Sequence, residues 1–203
     1  QYRCNLCGAH GNSVSLYARI KGITNKEAFR ELSGDTKFYP FPRQPEPRNT
    51  ERQPLPLEQR HAAYTDMLEH LTLLGRHREN LLGRGLSMER IHENQYRSMP
   101  ETDRSRKLLA ELLRACGHEL LGLPGFRTYY GEWTLSGPTG FLIPVRNKKG
   151  LIQGLKIRLD GADSPNRKYR WLSSRGLPDG TRSYSWIHVT GNTASKRAFL
   201  TEG

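Results

Sequence analysis

Two thiols three positions apart are the first groups in this sequence that could do chemistry. Cys4 and Cys7, in Cys4-Asn5-Leu6-Cys7-Gly8, can reach one ion from a single tight turn, and Gly8 can take the positive φ that such a turn often needs. A structural zinc site wants four ligands. Only two stand here, and His10, a candidate third, reads better as a surface residue. Taken alone, the pair stays open between half a zinc site, a redox pair and chance spacing. The third cysteine, Cys116, falls in a helical pattern as an inert core or boundary residue. Three cysteines in 203 residues make no disulfide framework, and that favours a reducing compartment, the cytoplasm.

The second group is cationic. Lys156, Arg158, Lys168 and Arg170 fall in two segments of alternating pattern, with Tyr169 and Trp171 interleaved. Charge for phosphates and rings for bases are what a single-strand-binding surface needs; a solvated strand face is the plainer alternative. The whole chain holds 32 Lys and Arg against 20 Asp and Glu, a formal net charge of +12, and residues 142–203 hold 12 of the basic residues against 4 acids. Such a field attracts polyanions, nucleic acid first among them, although a basic surface on any soluble protein would carry the same charge. No apolar run reaches the length of a membrane span, and Gln1-Tyr2-Arg3-Cys4 is no signal peptide.

Three segments must position these groups. Residues 1–33 read as a compact unit with two short helices. Leu16, Tyr17 and Ile20 share a face on the first. Thr24-Asn25-Lys26-Glu27 is a capping box that opens the second, with Ala28, Phe29 and Leu32 as its apolar side. Residues 34–57 read as a linker, since six prolines (Pro40, Pro42, Pro45, Pro47, Pro54 and Pro56) favour extended, semi-rigid chain; Phe38-Tyr39-Pro40-Phe41 could instead lie as an ordered strap.

The segment from residue 58 starts helical. Residues 58–74 carry Tyr64, Leu68, Leu71 and Leu74 on one stripe, and a short helix around Glu79–Leu82 ends at Gly83. Ser87 caps a helix over Met88–Asn94. Residues 102–116 hold Leu108, Leu109, Leu112 and Leu113 in a helical pattern, and Gly117 suits the closing turn. The period then changes to two. Phe141–Val145 is a strand that Pro144 marks as an edge, and Asn147-Lys148-Lys149-Gly150 is a hairpin turn. In the next strand, Leu151, Leu155, Ile157 and Leu159 face one way and Lys156 and Arg158 the other. Beyond it, Lys168, Arg170 and Leu172 face away from Tyr169 and Trp171. A twisted antiparallel sheet with one basic face is the simplest assembly, and the fold class is α+β.

The order of these motifs resembles bacterial-type DNA primases. Tyr2-Arg3-Cys4-x-x-Cys7-Gly8-Ala9-x-Gly11, followed by Gly22-Ile23-Thr24-x-x-Glu27-Ala28, is similar to the end of their zinc-binding domain. Arg84-Gly85-Leu86-Ser87-x-Glu89-x-Ile91 resembles the helical start of their RNA-polymerase core. The run from Gly140-Phe141-Leu142-Ile143-Pro144-Val145-Arg146 through Gly150, Ile152, Gly154 and Arg158 resembles its basic sheet, and Lys168-Tyr169-x-x-Leu172-Ser173-Ser174 its next strand. Leu200-Thr201-Glu202-Gly203 looks like the first strand and glutamate of the Toprim fold. Each motif alone is weak; five in order cover most of the chain outside the linker. The insertion near Arg167–Ser174 looks more like primases of plasmids, phages and other mobile elements, some of them fused to a helicase.

The resemblance implies the organisation and the roles. Residues 1–33 would be the C-terminal half of a zinc-binding domain, a partial zinc ribbon. Residues 34–57 would be the linker, 58–197 the N-terminal subdomain of the polymerase core, and 198–203 the first strand of a truncated Toprim α/β fold. Cys4 and Cys7 would ligate zinc and Glu202 a catalytic magnesium ion, while Arg146, Lys156, Arg158, Lys168, Tyr169 and Arg170 would hold template or nucleotide. The family draws two more zinc ligands from upstream of Cys4 and an Asp-x-Asp motif from downstream of Glu202. This sequence holds neither, so both ends read as cut and the chain as an inactive fragment of an enzyme. The expected partners are single-stranded DNA, ribonucleotides and a replicative helicase. A non-catalytic nucleic-acid-binding module and another Toprim enzyme, a topoisomerase or nuclease, are the alternatives.

Overall fold

A computed structural model describes residues 2–3, 10–33, 52–161 and 168–191. The chain divides into two units, Gln1–Arg43 and Gln44–Gly203, and the expected α+β class holds. Among the described residues no helix is long and apolar enough to cross a membrane.

In the first unit β1 (Tyr2–Arg3) pairs antiparallel with β2 (His10–Gly11), and two helices follow, α1 (Ser13–Lys21) and α2 (Asn25–Ser33). The expected capping box of α2 is present. The Thr24 N–H donates to Glu27 Oε2 at 2.8 Å and the Glu27 N–H to Thr24 Oγ1 at 3.3 Å. That backbone hydrogen bond holds the Glu27 carboxyl below its ordinary range. Asn12 caps α1 through a reciprocal pair with Ser15. The expected apolar faces do not close over a core: Ala18 and Ala28 are buried, while Leu16, Ile20, Phe29 and Leu32 are exposed. Cys4 and Cys7 lie outside the described residues.

The second unit begins before its first helix. Residues 34–51 of the expected linker lie outside the described residues, but the Leu55 N–H donates to the Gly122 carbonyl at 2.9 Å and its side chain packs on the main core. Four helices follow: α3 (Leu57–Glu69), α4 (Gly75–Leu82), α5 (Met88–Glu93) and α6 (Asp103–Ala115). The stripe read over 58–74 is thus cut at Glu69. The short strand β3 (Arg97–Ser98) takes over there: the Ser98 N–H donates to the Thr72 carbonyl at 2.9 Å, and Ser98 Oγ accepts the Leu74 N–H at 2.8 Å. Ser87 caps α5 as expected, and Thr102 caps α6. On α6 the buried residues are Leu109, Ala110 and Leu113; Leu108 points to solvent, as does Cys116, which corrects its core or boundary placement.

Among the described residues five strands follow: β4 (Phe126–Tyr129), β5 (Glu132–Leu135), β6 (Gly140–Arg146), β7 (Ile152–Leu159) and β8 (Tyr169–Trp171). β4 and β5 form a separate hairpin, and the other three join β3 in an antiparallel sheet of order β3-β6-β7-β8. β6 is therefore not an edge strand. Pro144 survives because β3 pairs only with Phe141 and Leu142, so the β6 side that faces away from β7 has no strand partner at residue 144. The Asn147–Gly150 turn is as expected, with Asn147 Oδ1 accepting the N–H groups of Lys149 and Leu151. The pairing of Val145 with Gly154 and Arg146 with Ile152 leaves Gln153 as an extra residue. That bulge shifts the alternation by one, so Ile152 rather than Leu151 is fully buried.

One face of the sheet meets α3, and α6 packs on α3 and on β5 of the hairpin. Tyr64, Met67 and Leu68 of α3 and Leu109 and Leu113 of α6 enclose Leu142, Ile152, Leu155, Ile157 and Leu172 in the main core. The spacing 60, 63, 64, 67, 68 of buried positions on α3 is one helical face. The opposite face carries a smaller cluster, with Leu81 of α4 and Ile91 of α5 on Phe141.

Candidate nucleic-acid interface

Register decides which cations share a face. Directly opposed residues of an antiparallel pair project to the same side. Lys156 stands opposite Trp171, Arg158 opposite Tyr169, and Ile157 opposite Arg170. Lys156 and Arg158 therefore share the outer face with the two aromatics. Arg170 lies on the side of the core residue Ile157, and Lys168 falls with it by alternation. This corrects the expectation of one four-cation face: the basic face is built from two cations and two rings, and Arg170 is exposed on the other side at the sheet margin.

The outer-face cations rest on rings. Lys156 Nζ stands 5.1 Å from the centre of the Trp171 ring, and the Arg158 guanidinium 5.6 Å from that of Phe141. Arg158 Nε is buried without a hydrogen-bond partner, an unsatisfied donor at the face. Phe141 is held by the Tyr96 ring at 6.1 Å and the His77 ring at 5.5 Å. His77 is itself fixed. Ser98 Oγ, which accepts the Leu74 N–H, leaves its hydroxyl to donate to His77 Nδ1 at 2.6 Å, and Nε2 then donates to Asp160 Oδ1 at 2.8 Å. A Ser-His-Asp chain of this kind can activate a nucleophile. Here Ser98 is 4% exposed and its oxygen already accepts a hydrogen bond, so the chain locks α4 to β3 and the end of β7.

An irregular segment, 182–189, crosses the same face. Trp186 lies on Gly154, where a β-carbon would come within 2.3 Å of its ring, so glycine is required there for contact rather than for backbone freedom. The Trp171 ring meets Trp186 at 5.4 Å, and Tyr184 meets it at 6.0 Å. The Arg60 guanidinium stacks 4.7 Å from the Trp186 ring and donates to the Gln153 carbonyl. Burial works against the Arg60 charge and lowers its pKa. At the far end of the crossing the Arg146 N–H donates to His188 Nδ1 at 3.0 Å, and the Val189 N–H to the Arg146 carbonyl at 2.9 Å. The Arg146 side chain is anchored by the Gly150 carbonyl at 2.8 Å and by Gln95 Oε1.

The predicted site residues thus separate. Lys156, Arg158 and Tyr169 come together, with Arg146 at the hairpin end of the same sheet. Lys168 and Arg170 fall on the other side, and Cys4, Cys7 and Glu202 lie outside the described residues. Trp186, Tyr184 and Arg60 were not singled out in the sequence. The alternate spacing of the rings in Tyr184-Ser185-Trp186 was the available signal. Among the described residues no group of three or more His, Cys, Asp or Glu could hold a metal ion, so no step is derived through one.

No family model matches the chain, and no curated protein does. Several solved structures do. The RNA polymerase domain of Mycobacterium tuberculosis primase DnaG, in complex with a double-stranded DNA oligomer with a 6-nucleotide overhang, is 19% identical with a TM-score of 0.47, over 57% of this chain and 38% of that one. The zinc-binding and RNA polymerase domains of Aquifex aeolicus primase are 16% identical with a TM-score of 0.46, over 86% of this chain and 42% of that one. A DnaG primase catalytic domain bound to single-stranded DNA is 18% identical with a TM-score of 0.39, over 57% and 37%. The chain spans about two fifths of the length of these structures.

Proposed function

We propose that this chain is part of a DNA primase, a nucleotidyltransferase that builds RNA primers on single-stranded DNA, and that the outer face of its sheet holds the template. The observation that carries this reading is the register that sets Lys156 on Trp171 and Arg158 beside Tyr169 on one face. The order of the primase-like sequence motifs supports it independently. Cations there neutralise phosphates and release counterions, while neighbouring rings offer flat surfaces to unpaired bases. Arg146 stands opposite the core residue Ile152, with its guanidinium held by the Gly150 carbonyl and Gln95 Oε1, and is left out of that path.

In the full-length protein, residues 1–33 would belong to a zinc-binding domain with Cys4 and Cys7 as two of its ligands. Residues 58–197 would form the N-terminal subdomain of the core, and Glu202 would supply a carboxylate to magnesium in a Toprim fold beginning at residue 198. Magnesium, when bound, supplies charge stabilisation to phosphoryl transfer. Lys156 and Arg158 act before that chemistry, by holding the template strand.

The test uses full-length protein on a single-stranded template. Glu202→Gln abolishes primer synthesis and leaves DNA affinity unchanged, whereas Lys156→Ala with Arg158→Ala weakens DNA binding. Primer synthesis by Glu202→Gln removes Glu202 from the mechanism, whereas a full-length parent that makes no primer removes the primase reading and leaves a non-catalytic binding module.

A further inference from the structure

The hairpin of β4 and β5 turns through Tyr130 and Gly131, with φ values of 51° and 82°. A two-residue turn with both positions left-handed matches the twist of the strands, and Asn-Gly or Asp-Gly normally fills it. An aromatic residue at the first position is strained by its β-carbon. Burial does not offset that strain, since Tyr130 is 56% exposed. A strained, exposed ring is a feature in search of a contact.

What stands behind the ring indicates which contact. The Tyr130 and Tyr129 ring centres are 4.5 Å apart at 75°, and the Arg127 guanidinium sits 4.8 Å from the Tyr129 ring. Arg127 Nε is buried without a hydrogen-bond partner. Register places Arg127 and Tyr129 on one side of the hairpin with Glu132, and Lys107 Nζ neutralises the Glu132 carboxylate at 2.5 Å. Arg127, Tyr129 and Tyr130 therefore form a contact chain, guanidinium over ring and ring edge-to-face on ring, that ends in the exposed Tyr130; Glu132 on the same side is paired with Lys107, and Asp179 accepts from Thr128 Oγ1 at 2.7 Å.

We propose that this hairpin tip is a second contact for single-stranded nucleic acid, in which an unpaired base stacks on Tyr130 and the Arg127 guanidinium attracts the adjoining phosphate. The tip rests on the reading that this chain binds single strands. The net charge of +12 favours a polyanion over a peptide, and stacking without hydrogen-bond readout makes the contact indifferent to base sequence.

Tyr130→Asn tests it, because asparagine tolerates the left-handed conformation and removes the ring. Binding of a fluorescein-labelled oligothymidylate and thermal unfolding are measured on the same 203-residue chain. Tyr130→Asn weakens binding about five- to tenfold, the loss of one stacked base, while its unfolding midpoint stays level or rises. Tyr130→Phe, which keeps the ring, binds as the parent does. Unchanged affinity in Tyr130→Asn overturns the proposal, as does a loss of affinity accompanied by a lower midpoint. If Lys156→Ala with Arg158→Ala leaves affinity unchanged while Tyr130→Asn weakens it, the sheet-face reading fails and the tip stands. A parent chain that binds no oligothymidylate overturns both.

Discussion

The two faces of the sheet follow different rules. The inner face is settled by burial: Leu142, Leu155, Ile157 and Leu172 are fully buried in the main core with residues of α3 and α6. A side chain at those buried positions must be apolar and of the right volume. The outer face is settled by pairs of charge and ring. Lys156 on Trp171 and Arg158 on Phe141 set cationic groups over aromatic surface there, while Arg60 on Trp186 is buried. The inner face stabilises the unit, and the outer face, packed at Phe141 by Leu81 and Ile91, is the one proposed to hold a single strand. One residue of register separates the roles, since Arg170 between Tyr169 and Trp171 points to the inner side.

Truncation on the inner face should have the largest effect. Leu155→Ala is expected to lower stability by about 2–5 kcal/mol through lost transfer energy and a cavity, measured by urea unfolding. DNA affinity of the folded protein should be unchanged. A loss below about 1 kcal/mol would mean that the core beneath β7 is not close-packed.

Crowding on the outer face comes next. Gly154→Ala places a methyl against the Trp186 ring and is expected to cost about 1–3 kcal/mol. The change should also shift tryptophan emission, because segment 182–189 must lift. Trp186→Ala in the same chain should absorb most of the Gly154→Ala cost, which a double-mutant cycle measures. Additive effects would show that the two residues do not meet.

A smaller effect is tied to pH. His61 Nδ1 accepts the Ile152 N–H at 3.3 Å and His188 Nδ1 the Arg146 N–H at 3.0 Å, roles that need the neutral ring. Burial first, then Arg146, lowers both pKa values, with Lys156 adding to the effect on His188. The unfolded chain therefore binds more protons than the folded one below the ordinary histidine range near ~6.5. The stability these groups contribute is complete above that range and lost as pH falls through the lowered folded values. His61→Gln should flatten the acid limb of stability against pH. His188 is more open, so solvent screening leaves His188→Gln the weaker change. An unchanged acid limb in both variants would contradict the assignment.

Locally encoded features were legible in the sequence. The Thr24–Glu27 box, the Ser87 cap and the Asn147–Gly150 turn each depend on side chains bonding backbone within a few residues, so short patterns suffice. Features that depend on distant partners were not. The β3 strand exists because Ser98 meets Thr72 and Phe141, and its two residues carry no period of their own. The β4–β5 hairpin was hidden by Tyr130 in a position where the usual signal is asparagine or aspartate. The bulge at Gln153 moved burial from Leu151 to Ile152, and strand pattern alone cannot place such an insertion. Lys156 and Arg158 were legible as a pair within one strand. Joining Lys168 and Arg170 to them required the register between β7 and β8, which the sequence leaves open.

The central claim is that the single strand lies on the outer face. Its most direct test is the salt dependence of oligothymidylate binding for two double variants, Lys156→Ala with Arg158→Ala and Lys168→Ala with Arg170→Ala. If two phosphate contacts are lost, the log–log slope of affinity against salt falls by about 1.4 for the first pair, from roughly 0.7 per contact on a single strand. The second pair should keep the parent slope. Equal slopes for both variants, or a loss confined to Lys168 and Arg170, would place the strand elsewhere and contradict the account.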